Sequence, residues 1–277
     1  MPASEYDSTT PKFEEQPPAP SAPPTIASAW HTLLLVAAII AISIHGASRL
    51  SSIHGEIDRL ASYGFTAAIE AAMLAWVVIG LRLKKIPLRS LLGTNPVNIH
   101  SIALDLGIAL LFWITSMMVL GSVSVAWSGV EAMLTHRPRI THGSAPAPFA
   151  PDPSRLEAVR ELAKLAPANE KEILAWAVLC LMAGFVEEIV FRGYLQRQFI
   201  AWARGSITIG VLASAAIFGA AHGYQGARGM VLLFVFGVLF STLALERRSL
   251  RPGIFAHAGH DFFAGLALAW LRSSHFL

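Results

Sequence analysis

Apolar residues gather into blocks close to the roughly 20 residues that a helix needs to cross a bilayer. The blocks are Trp30–Ser48, Ala61–Leu81, Ile102–Trp127, Leu174–Phe199, Ile207–His222, Gly229–Leu245 and Ile254–Leu271. Inside lipid every backbone N–H and C=O must be satisfied within the segment, so blocks of this length predict helices. The expected fold is all-α: a polytopic transmembrane helix bundle of about seven spans, six to eight once short or tilted segments are allowed. Two polar stretches interrupt the pattern. Residues 1–27 hold five prolines between Pro17 and Pro24 with scattered acids, and predict a disordered tail, too acidic for the start of a signal peptide. Residues 128–172 open with His136, Pro138, His142 and four further prolines; Leu156, Val159, Leu162 and Leu165 then recur at three-residue steps among charges. This predicts a loop carrying an amphipathic helix, with its two histidines as solvated residues. The organisation read from the pattern is a tail (1–27), three spans (28–127), that loop, and the spans richest in polar groups (173–277).

Composition narrows the class. Of 277 residues 54% are hydrophobic and 14% charged, against about 25% charged in soluble domains. The net charge is only +3 and the basic residues lie between apolar blocks, which excludes a nucleic-acid surface and makes the lipid bilayer the main partner. Arg82, Lys84, Lys85, Arg89, Arg192, Arg197, Arg204, Arg247, Arg248 and Arg251 all fall on one side if the spans alternate. That asymmetry predicts a multi-pass protein of the cell membrane with a cytoplasmic N-terminus. Trp113 and Trp127 are expected as interface anchors. The lone cysteine, Cys180, excludes an internal disulfide and reads as a buried apolar residue.

Ionisable groups within such blocks are costly and are functional candidates by default. Glu187, Glu188 and Arg192 lie in the fourth block. On a helix Glu188 and Arg192 are four apart and can pair, while Glu187 turns away by about 100° and stays free to move a proton. His222 follows Phe218 by four residues, and His257, His260 and Asp261 cluster in the last block, with His257 and Asp261 one turn apart. Imidazoles and carboxylates facing a bundle interior can bind a metal or activate a water, and both routes lead to hydrolysis. Glu70 and Asp105 are lone acids without a local partner, readable as functional or as buried hydrogen-bonded groups. Full-length alternating spans would put His222 and His257 about 25 Å apart at 1.5 Å per residue. A shared site therefore requires one of the intervening segments to be short, tilted or re-entrant.

Glu187-Glu188-Ile-Val-Phe-Arg192, Phe218-Gly-Ala-Ala-His222 and His257-Ala-Gly-His260-Asp261 resemble the motifs EExxxR, FxxxH and HxxxN or HxxxD of the CPBP family of intramembrane proteases. That family takes in type II CAAX prenyl endopeptidases and bacterial relatives linked to bacteriocin processing and immunity. The resemblance covers about residues 174–265. It implies an intramembrane endopeptidase acting on a peptide or membrane-anchored protein, with Glu187 and His222 activating the water, Glu188 and Arg192 in support, and His257 with Asp261 stabilising the oxyanion. The prenyl proteases carry asparagine where this chain has Asp261, which when ionised only accepts hydrogen bonds. Either Asp261 orients His257, or it is protonated, or the site binds zinc through His222, His257, Asp261 and Glu187; His260 is an additional candidate. The cofactor expectation is accordingly none, or zinc. Two other classes remain open. One is a proton- or cation-coupled transporter using Glu187, His222 and His257 as a relay, although no internal repeat supports it. The other is a non-catalytic scaffold or immunity protein.

Overall fold

The computed structural model describes residues 23–52, 57–93, 97–134 and 153–274. Among these there is no β-strand: apart from one isolated antiparallel bridge between Gly93 and Ser249, the ordered elements are helices joined by turns and short connections. They are α1 (Ala29–Ser52), α2 (Arg59–Leu83), the short α3 (Arg89–Leu92), α4 (Ile99–Leu134), α5 (Pro153–Lys164) and α6 (Glu170–Glu187). A π-helical segment, Glu188–Leu195, leads from α6 into α7 (Gln196–Trp202), and α8 (Ile207–Ala221), α9 (Gly226–Arg247) and α10 (Arg251–Ser273) complete the bundle. Among the described residues six helical stretches are long and apolar enough to cross a membrane: most of α1, α2, most of α4, the run from Glu170 to Trp202, the stretch Gly223–Arg247 and α10. Their outward faces are greasy, with Leu33, Leu110, Leu111, Met118, Leu174 and Leu181 among the exposed residues. That is the pattern of a polytopic bundle whose solvent is lipid.

The fifth expected span, Ile207–His222, is the exception, and its shortness bears on the two histidines. α8 has 15 residues, about 22 Å at 1.5 Å per residue, against a hydrocarbon core of about 30 Å. His222, its C-terminal neighbour, lies beside the last span: the Phe218 ring is 4.9 Å from the His222 ring and 6.0 Å from that of His257. The third span, expected to end at Trp127, continues to Leu134. The expected solvated histidines His136 and His142, and residues 1–22 of the expected tail, lie outside the described residues. The end of that tail is held: Gln198 Oε1 accepts from the backbone N–H groups of Ile26 and Ala27, and its Nε2 donates to Ala27 O at 2.9 Å. Ala27 is buried beneath this clamp.

The core is aromatic and centred on the π-helical segment. Phe191, Tyr194, Phe218, Phe236 and Phe240 are all buried. His31 of α1 lies 2.9 Å from the Tyr194 hydroxyl and stacks on Trp76 of α2 at 4.5 Å between ring centroids, tying two N-terminal spans to the segment. Asp105, expected without a local partner, finds one across the bundle: Arg251 at 2.6 Å and Arg247 at 3.7 Å fasten α4 to the α9–α10 corner. At the same end Leu250 N donates to Leu92 O at 3.0 Å, and Arg197 donates to the carbonyls of Ser90 and Leu91. At the opposite end Arg272 donates to the carbonyls of Ala163, Ala166 and Pro167, docking the segment around α5 against α10.

α6 and α10 approach closely because Gly184 faces Ala258. A Cβ at position 184 would lie 2.8 Å from Ala258 N and 3.0 Å from its Cβ, and backbone cannot swing aside. Gly184→Ala is therefore expected to cost about 1–3 kcal/mol by overpacking. Because Ala258 adjoins His257, it should also lower any activity that depends on the α6–α10 spacing. Thermal unfolding and turnover measured on the same preparation check both effects.

Candidate active site

Glu187 and Glu188 stand where α6 passes into the π-helical segment. Such segments widen the helix by replacing i→i+4 bonds with i→i+5 bonds and occur frequently at functional sites. The expected pairing holds although the helix type differs from the α-helix assumed: Arg192 Nη1 is 3.0 Å from Glu188 Oε1, with both side chains almost wholly buried. The guanidinium is sandwiched by aromatic rings, its Cζ 4.4 Å from the Phe218 centroid and 5.0 Å from that of Phe240. These faces favour a cation where water is excluded.

His257, on α10, lies between the two glutamates. Its Nδ1 is 3.1 Å from Glu188 Oε1, and its Nε2 is 3.6 Å from Glu187 Oε2 and 3.7 Å from Asp261 Oδ2. The first contact is a hydrogen bond in which Nδ1–H donates to the carboxylate. The other two are ion-pair distances beyond hydrogen-bond range. Glu188 thus joins Arg192 and His257, and this bridge was not legible in the sequence, since its ends lie 69 residues apart. Phe240 flanks the imidazole at 5.3 Å and Phe218 at 6.0 Å. Gly253 makes room below it: a Cβ there would lie 2.9 Å from Glu188 Oε2.

His222 reaches the centre beside Phe218, whose ring is 4.9 Å from the His222 ring and 6.0 Å from that of His257. The His222 Nδ1 bonds the Phe218 carbonyl at 2.9 Å. With Nδ1–H donating there, Nε2 is left as the nitrogen with a lone pair. Ser43 of α1 secures the turn that follows, its hydroxyl donating to Ala220 O at 2.7 Å and accepting from Gly223 N at 3.0 Å. His260 takes another direction. The half-buried Trp113 donates through Nε1 to the imidazole Nδ1 at 3.3 Å, and Phe236 lies 4.9 Å from the same imidazole.

The structure brings Glu187, Glu188, Arg192, His257 and Asp261 into one cluster, with His222 across Phe218 and His260 turned to α4. Among the described residues no group of three or more His, Cys, Asp and Glu side chains is arranged to hold a metal ion. What the cluster can do with its own groups is definite. It holds a carboxylate, Glu187, with no arginine ion pair among the described residues, beside an imidazole whose Nδ1 is anchored on Glu188 and whose Nε2 is turned toward Glu187 and Asp261.

Residues 169–263 match the family described as type II CAAX prenyl endopeptidase Rce1-like. The matched segment runs from the N-cap of α6 into α10 and contains every residue of the cluster. No curated protein and no solved structure matches the chain.

Proposed function

We propose, from the premise that residues 169–263 are a segment of the type II CAAX prenyl endopeptidase Rce1-like family, a family of membrane endopeptidases, that this chain hydrolyses a peptide bond of a membrane-associated protein or peptide through a glutamate-activated water. One observation carries the reading: Glu187 Oε2 and Asp261 Oδ2 both lie within 3.7 Å of His257 Nε2, while Arg192 is engaged by Glu188.

Glu187 accepts a proton from the water as its oxygen attacks the carbonyl carbon, then delivers that proton to the leaving nitrogen. His222, with Nε2 free to accept, helps hold the water. His257 presents Nε2–H to the developing oxyanion, its ring fixed by the Nδ1 bond to Glu188. Asp261 supports the imidazole's charge across 3.7 Å instead of donating, which reconciles an aspartate with a position where the prenyl proteases carry asparagine. Glu188 and Arg192 form the buried base of the site.

In this reading the end of the bundle bearing Arg82, Lys84, Lys85, Arg197, Arg204, Arg247 and Arg251 faces the cytoplasm of a cell-membrane protein. The substrate is a leader-bearing peptide, a membrane-anchored protein or, in a host that makes them, a prenylated one. Purified protein in lipid, incubated with a peptide library with and without a chelator, tests the proposal. Discrete cleavage that persists in chelator is expected; cleavage abolished by chelator and restored by zinc would replace the glutamate mechanism with a metal one. Ion-dependent flux without cleavage would favour the transporter.

A further inference from the structure

The first span reaches the site from outside the matched segment. α1 packs against α8 and against the turn Gly223–Gln225 that follows it, and Ser43 of α1 is buried, only 5% exposed. The last carbonyls of a helix lack their full complement of intrahelical donors, and a serine hydroxyl can donate once and also accept. Ser43 Oγ uses both capacities, one on either side of His222: it donates to Ala220 O at 2.7 Å and accepts from Gly223 N at 3.0 Å. The approach is close enough to favour glycine, because a Cβ at position 223 would lie 2.8 Å from Ser43 Oγ and displace the hydroxyl. The His222 ring is flanked by Phe218 at 4.9 Å and Tyr224 at 5.9 Å between centroids. Tyr224 directly follows the clamped Gly223, so the clamp sets one wall beside the imidazole as well as the backbone from which the imidazole projects.

We propose that Ser43 is a positioning residue for hydrolysis: by fastening the backbone on both sides of His222, it fixes where His222 Nε2 meets the attacking water. This rests on the endopeptidase reading above. His222 Nδ1 is committed to Phe218 O at 2.9 Å, which sets the ring's orientation relative to α8 but not the place of the helix end itself. α8 gives way to a turn there instead of continuing as a helix, so its end depends on a tie from outside, and α1 supplies one. Displacing an orienting group by about 1 Å can cost on the order of a hundredfold in rate. Ser43 makes and breaks no bond in the reaction; it acts through His222. The first span thereby takes part in catalysis, although the three motifs all lie within residues 169–263.

The test introduces Ser43→Ala into wild-type protein and into a His222→Ala variant, both in lipid. In the wild-type background kcat should fall ~10-fold with KM changed less than about twofold, the size of a modest misplacement. In the His222→Ala background, where there is no imidazole to place, the residual rate should not change. Ser43→Thr, which keeps the hydroxyl, should recover most of the loss. A folded Ser43→Ala variant with wild-type kcat, or an equal fold-loss in both backgrounds, would overturn the assignment, since a general loosening of the bundle does not depend on His222. NMR of protein labelled with 15N-histidine reads the same placement without turnover. The wild type should show His222 held as the Nδ1–H tautomer, and Ser43→Ala should shift or broaden the His222 signals while those of His257 stay in place. Identical His222 signals in the two proteins would overturn it. Should Ser43→Ala fail to fold, Gly223→Ala replaces it in both arms with the same expected and contradicting results. Because the NMR arm requires no cleavage, an inactive wild-type protein would count against the endopeptidase reading while the clamp is judged separately.

Discussion

Glu188→Ala will destabilise the folded protein by about 3–5 kcal/mol, the usual cost of leaving a buried charge without its partner. Arg192 is almost wholly buried and its Nη1 lies 3.0 Å from Glu188 Oε1. Phe218 and Phe240 face the guanidinium but cannot replace a carboxylate. The same substitution removes the acceptor for His257 Nδ1, so cleavage should fall along with stability. Replacing both members of the pair, Glu188→Met with Arg192→Met, should restore much of the stability, because apolar residues of similar volume avoid the desolvation cost that the ion pair carries. It should not restore cleavage, because His257 stays without its anchor. Thermal unfolding in detergent separates these outcomes. A single Glu188→Ala variant as stable as wild type would show that the pair is not what holds the π-helical segment in place.

Glu187→Gln should leave stability nearly unchanged and lower cleavage at least about a thousandfold, since removal of a general base costs up to about four orders of magnitude. The side chain keeps its size, its position at the end of α6 and its place near His257 Nε2, and loses only the capacity to take a proton. A glutamine there can still hold a water. Its inability to activate that water is what the loss would measure.

The chemistry-bearing residues were legible because each stands out against an apolar background, where a charge is too costly to be incidental. The Glu188–Arg192 pair could be read from a four-residue spacing, and the three motifs from their order along successive spans. The contacts between spans were less accessible. The bond from His257 to Glu188 and the pairing of Asp105 with Arg251 join residues far apart in sequence. Such contacts depend on which helix faces meet, and hydropathy reports solvation rather than helix rotation. Small residues set those faces: Gly184 against Ala258 brings α6 to α10, and Gly253 makes room for Glu188. The π-helical turn was also hidden, because its eight residues, Glu188–Leu195, have the apolar character of the α-helix before them. The shortness of α8 was anticipated only as one of several ways to bring His222 and His257 together.

The central claim is that Glu187 activates a water for peptide hydrolysis within the membrane domain. Initial rates for wild-type protein and Glu187→Gln, purified in parallel into the same lipid and given the same cleavable peptide, test it most directly. The account predicts turnover by the wild type and none above background by a glutamine variant that unfolds at the same temperature. Equal rates for the two proteins would contradict it.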